Sequence, residues 1–105
     1  MKIYRVTAVL CEGGQLNKNS KCMLLCGVDE ELRIVNGIEW FGYVKHGYVT
    51  YPFVLQENGT QFFYGDETER TNIGERLIEL NEYFTVHSEN KEVTFKIISC
   101  HPHES

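Results

Sequence analysis

Apolar and polar residues alternate along most of this chain. Residues 3–11 set the pattern: Tyr4, Val6, Ala8 and Leu10 fall on one face, and Ile3, Arg5, Thr7 and Val9 on the other. A period of two is the mark of a strand, and apolar groups on both faces predict a central strand rather than an edge. Glu12-Gly13-Gly14-Gln15 breaks the run, and residues 15–20 read as a polar loop. Residues 21–28 contain Cys22-Met23-Leu24-Leu25-Cys26, short enough for a buried strand or a helical turn. Asp29-Glu30-Glu31 follows as a charged turn.

Two Asn-Gly pairs organise the middle of the chain. Asn36-Gly37 sits between residues 32–35 and 38–44, and Asn58-Gly59 between residues 48–56 and 61–64. Asn-Gly between runs rich in β-branched and aromatic residues predicts a tight hairpin, because both central residues need positive φ. In the 38–44 arm, Ile38, Trp40 and Gly42 share one face and Glu39, Phe41 and Tyr43 the other. Residues 48–56 are the strongest strand candidate, with Val49, Tyr51, Phe53 and Leu55 on one side. Pro52 lacks a backbone donor, which predicts an edge or a bulge. Lys45-His46-Gly47 reads as a turn.

Residues 65–72 are polar. The segment over residues 72–80 admits two readings. Asn72 with Glu75 resembles a capping box, and Ile73, Leu77, Leu80 and Phe84 follow at helical spacing. Gly74 opposes a helix, and Arg76–Leu80 ending in an Asn81-Glu82 turn reads as a short strand, the reading favoured here. Residues 83–87 and 92–100 flank the polar Ser88–Lys91 segment as a terminal hairpin with Val93, Phe95 and Ile97 inward. Up to nine short strands with turns between them predict a mainly β fold. The expected architecture is a small antiparallel barrel or sandwich built of hairpins, with at most one short helix near residues 72–80. Residues 1–100 are expected to form a single compact domain and residues 101–105 a tail.

Composition narrows the class. With 105 residues, 42% hydrophobic and 24% charged, the chain can bury one modest core without metals or disulfides. No run of about 18 apolar residues predicts a membrane span. Arg5 interrupts the first apolar stretch, which is too short for a signal peptide. A cytoplasmic setting is expected, with Cys11, Cys22, Cys26 and Cys100 as thiols. The net charge of −5 is uneven: residues 1–52 carry six Lys/Arg and five Asp/Glu, residues 53–105 four and ten. An acidic surface repels phosphate backbones, so nucleic acid is not an expected partner, and a protein with a basic surface is.

Candidate chemistry is sparse. Cys22-x3-Cys26 with Cys100-His101-x-His103 offers four soft ligands of the kind zinc takes, but the first pair lies inside an apolar run, where a thiol packs as a small hydrophobe. No metal or other cofactor is expected. The cysteines and His46, His87, His101 and His103 form no specific nucleophile–base pattern, and Gly13-Gly14 lacks the Gly-Lys-Ser/Thr of a phosphate loop. An enzyme is therefore not expected. Asp66, Glu67 and Glu69 cluster in a polar loop whose spacing does not match a calcium loop.

The aromatics point elsewhere. Nine of the thirteen fall between residues 40 and 64. If Trp40, Phe53 and Phe62 fill the core, Tyr43, Tyr48 and Tyr64 are left at the surface, where tyrosine favours protein interfaces. The resulting expectation is a small acidic binding module of the immunity, inhibitor or phage counter-defence type. It would occlude a partner protein through Tyr43, Tyr48, Tyr64, Asp66, Glu67 and Glu69. One alternative is a small barrel that sequesters a nucleotide-like ligand, and another a Cys/His metalloprotein or enzyme. Pairing of the 48–56 strand with its twin would give a homo-oligomer.

Overall fold

The computed structural model describes residues 1–103. The chain forms an eight-stranded antiparallel closed barrel in which each strand pairs with the next and β8 returns to β1. The strands are β1 (Lys2–Glu12), β2 (Gln15–Val28), β3 (Trp40–His46), β4 (Val49–Leu55), β5 (Gln61–Phe63), β6 (Thr68–Thr71), β7 (Tyr83–Ser88) and β8 (Lys91–Pro102). Opposite β1 the register shifts twice, Ile98 of β8 being extra between Thr7 and Ala8, and residues 18–20 of β2 between Val9 and Leu10. Such bulges supply the curvature that lets a sheet close on itself.

Eight strands enclose a space that side chains can fill. The period-two faces meet there: Val6, Ala8 and Leu10 of β1 face Cys22, Leu24 and Cys26 of β2, with Phe53, Leu55, Phe62, Phe84, Phe95 and Ile97 opposite. Phe53 stacks on Phe62 with centroids 4.0 Å apart, and Phe84 on Phe95 at 5.5 Å. Gly42 lies across from Phe53 in the ladder. A Cβ at Gly42 would collide with the Met23 backbone carbonyl oxygen and stand 2.8 Å from Phe53 Cζ, so a side chain there would force β2 and β3 apart as well as crowd the ring.

The two ends of the barrel differ. At one end the long loops fold inward and plug it with Ile34, Ile73 and Ile78, all buried. These loops are tied together: Ile78 N–H donates to Leu32 O at 2.7 Å, and Arg33 Nη1 to Glu75 O at 2.9 Å. At the other end the connections are short: Gly13-Gly14, Gly47-Tyr48, Tyr64–Glu67 and Glu89-Asn90. None folds over the opening.

Several expectations change. Asn36-Gly37 is not a hairpin. It lies in the loop joining β2 to β3, where Gly37 has φ +89° and its N–H donates to Glu57 O at 2.9 Å. Asn58-Gly59 does connect paired strands, but through a longer turn in which Gly59 N–H donates to Gln56 O and only Gly59 has positive φ. The two-residue turn with positive φ at both positions is Gly13-Gly14, at +57° and +80°. Residues 15–20 are the first part of β2 rather than loop, and Thr68–Thr71 is a strand inside the polar stretch. The segment over residues 72–80 is neither strand nor α-helix: one 3₁₀ turn, Ile73–Glu75, is followed by irregular chain. Asn72 makes no cap; its Oδ1 accepts Thr85 N–H at 2.8 Å. Strand β8 continues through Pro102, and His103 N–H donates to Ile3 O, so residues 101–103 of the expected tail lie along β1. Glu104 and Ser105 lie outside the described residues.

Candidate functional site

The open end has a weak corner. Strand β3 pairs with all seven residues of β4, but three-residue β5 reaches only Val54 and Leu55. Residues 49–53 therefore have no neighbour on that side. Pro52 fits this arrangement. Gln56 donates its N–H to Gln61 O, so the period of two turns the backbone groups of Val54 and Pro52 the same way. The nitrogen of Pro52, which has no hydrogen to offer, faces the unpaired side. The expected edge character of this strand is thus local, inside a closed barrel.

Opposite this bare edge the chain leaves β5, turns through Tyr64–Glu67 and enters β6. Tyr64 N–H donates to Glu67 O at 2.9 Å, and Gly65 takes φ +107°. The result is a cleft of about 480 Å³ between Thr50–Pro52 and Tyr64–Glu69. Its lining includes Val44, His46, Thr50, Tyr51, Tyr64 and the carboxylates of Asp66, Glu67 and Glu69, with no lysine or arginine. A second recess of about 300 Å³ enters the barrel mouth beside it. The two share Val44, His46 and Glu69.

Two hydrogen bonds fix the polar groups. The Tyr64 hydroxyl donates to Glu69 Oε1 at 2.6 Å, while its ring lies edge-on to Phe53 at 5.9 Å. Burial and then the neighbouring Glu69 carboxylate push the Tyr64 hydroxyl well above its usual range, so it stays protonated. Across the mouth, Ser20 Oγ and His46 Nδ1 are 2.9 Å apart on paired positions of β2 and β3. The His46 ring meets Tyr51 edge-on at 6.1 Å. Among the described residues no carboxylate bonds to His46.

Of the six expected site residues, Tyr64, Asp66, Glu67 and Glu69 meet at this cleft. Tyr43 stands on the outer wall between Met23 and Pro52, and Tyr48 is fully exposed at the β3–β4 turn. His46, Ser20, Thr50 and Tyr51 join the site only through strand register. Val44 and His46 share a face by alternation, but nothing in the sequence pairs that face with Ser20.

The cysteines are placed by packing. Cys22 and Cys26 point into the core, and burial raises both thiols, Cys26 to about 12. His101 and His103 are exposed. Among the described residues no three His, Cys, Asp or Glu side chains converge as a metal site. No helix among them is long and apolar enough to cross a membrane. Comparison with protein-family models, curated proteins and solved structures finds no match to this chain.

Proposed function

We propose that this protein is a non-enzymatic binding module that occludes a basic partner protein by taking one of the partner's cationic side chains into the cleft. The observation that carries this reading is the cleft's one-sided chemistry. Three carboxylates and two tyrosine rings line it, with no lysine or arginine. A guanidinium can pair with a carboxylate through two parallel hydrogen bonds and lie against an aromatic face. The acidic second half of the chain would speed the encounter, and the seated side chain would hold the complex. Four cysteines without a disulfide suit a reducing compartment, and we place the activity in the cytoplasm.

Affinity capture with the wild-type protein and with a D66K/E67K variant tests the reading. Both substitutions are on exposed turn residues. A basic protein retained by the wild type and lost by the variant is the expected result. Capture unchanged by the charge reversal, or no macromolecular partner at all, overturns it.

The recess entering the barrel mouth favours a second reading, a small planar ligand held between β2, β3 and β8. Glu12, Glu69 and Lys91 line that recess, so it offers a nucleoside-like ligand both acceptors and a donor. A rise in melting temperature with nucleosides would support this reading, and silence across the panel would count against it.

A further inference from the structure

The outer wall of the barrel is divided. By alternation, β6–β8 present mainly polar groups outward, Thr68, Arg70, Thr85, His87, Glu92, Thr94 and Lys96, with Tyr83 and Ile98 the exposed apolar residues on that side. The wall of β2–β5 presents apolar groups in registered rows instead. Leu25 pairs with Phe41, Phe41 with Val54, and Val54 with Phe63. In the next row Met23 pairs with Tyr43, and Tyr43 with Pro52. Phe41, at the centre, is 63% exposed. A contiguous apolar patch of this kind on a water-facing wall marks an interaction surface.

The charges around the patch indicate what covers it. At the open end it is bounded by Lys21 and Lys45, which pair with each other across β2 and β3. At the plugged end it is bounded by Glu39, exposed just before β3, and the acidic Asp29–Glu31 turn lies at that same end. Along β3 the outward residues therefore run Glu39, Phe41, Tyr43, Lys45: acid, aromatic, aromatic, base. A two-fold axis in the plane of contact, crossing β3 at right angles near Gly42, lays this strand antiparallel on its copy. Each Lys45 then meets Glu39 of the other molecule, and the aromatics meet aromatics. An axis along β3 would instead set lysine against lysine. An isologous dimer needs a patch that is complementary to itself, and this one is complementary in that single orientation.

We propose that two copies of the protein associate through the outer wall of β2–β5, with β3 antiparallel across a two-fold axis. The proposal does not depend on the cleft, which adjoins the patch at Pro52. Sedimentation velocity across a concentration series tests it. The wild type is expected to dimerise, and Phe41→Ser to shift it to monomer. Glu39→Lys and Lys45→Glu, each creating two like-charge contacts, should each weaken the dimer about tenfold. The E39K/K45E double variant should restore it. All three positions face solvent, and an unchanged circular dichroism spectrum verifies that the barrel is intact. A wild type that stays monomeric throughout, a dimer indifferent to Phe41→Ser, or a double variant no better than its parents overturns the proposal.

Discussion

Tyr64 divides its side chain between two environments, its ring packed in the barrel and its hydroxyl tied to Glu69 at the cleft. Tyr64→Phe keeps the ring and removes the bond. It should lower the unfolding free energy by about 1.5–3 kcal/mol in urea denaturation, the range for a hydrogen bond to a charged group, while the Phe53 contact is retained. Cys26 makes a pH prediction. Its thiol is raised from 9.0 to about 12, first by burial and then by Cys100. The folded state thus holds the proton more tightly than the unfolded chain. That contribution is complete below pH 9 and is lost as the pH climbs from 9 toward 12. Urea midpoints measured across this window should fall, and Cys26→Ala should flatten the fall. Tyr64 and Cys22, raised in the same direction, would keep a residual slope in that variant.

Among the elements, the β1–β2 hairpin makes the sharpest prediction. Gly13 and Gly14 both have positive φ, and nothing stands within 4 Å of a Cβ at either. Asparagine tolerates this conformation at the first position of such a turn. Gly13→Asn should therefore stabilise the protein by about 0.5 kcal/mol through the unfolded chain, seen as a higher melting temperature. The same chemistry explains what could be read in advance. Strands with one core face were legible: alternation over residues 3–11 and the Val93, Phe95, Ile97 face correspond to β1 and β8. Gln15–Ser20 was hidden because it extends β2 where no core side chain above Ser20 marks a face. Thr68–Thr71 was hidden because only Thr71 of its inward pair is buried and neither is apolar. Asn36-Gly37 misled because the apolar residues beside it plug the barrel end and do not pair across a turn: Ile34 is buried, and Val35 N–H donates to Gly27 O. At the site, the acidic turn was visible as composition. The facing strand edge was not, since the 480 Å³ cleft arises from the shortness of β5.

At the scale of the whole molecule, the wall is unevenly knit. Strand β1 is paired along most of its length on both sides, whereas β5 and β6 are held to their outer neighbours by two residue pairs each. Local opening follows such differences. Amide hydrogen exchange should be slowest in β1, the core half of β2 and β8, and fastest over residues 61–71, beside the cleft. Uniform protection around the barrel would contradict this. The four free thiols turn that gradient into a clock. Cys11 and Cys100 are half-buried, while Cys22 and Cys26 are both buried in the core, Cys22 beside Val44 toward the open mouth and Cys26 beside Tyr4 toward the plugged end. A thiol reagent added to the native protein would mark them in order of access from the open end: the outer pair first, Cys22 when the mouth breathes, and Cys26 only when the barrel comes apart. A cation seated above Glu69 would slow the Cys22 step and leave the others unchanged, so the protein's own sulfur atoms can report occupancy of the cleft without any added label.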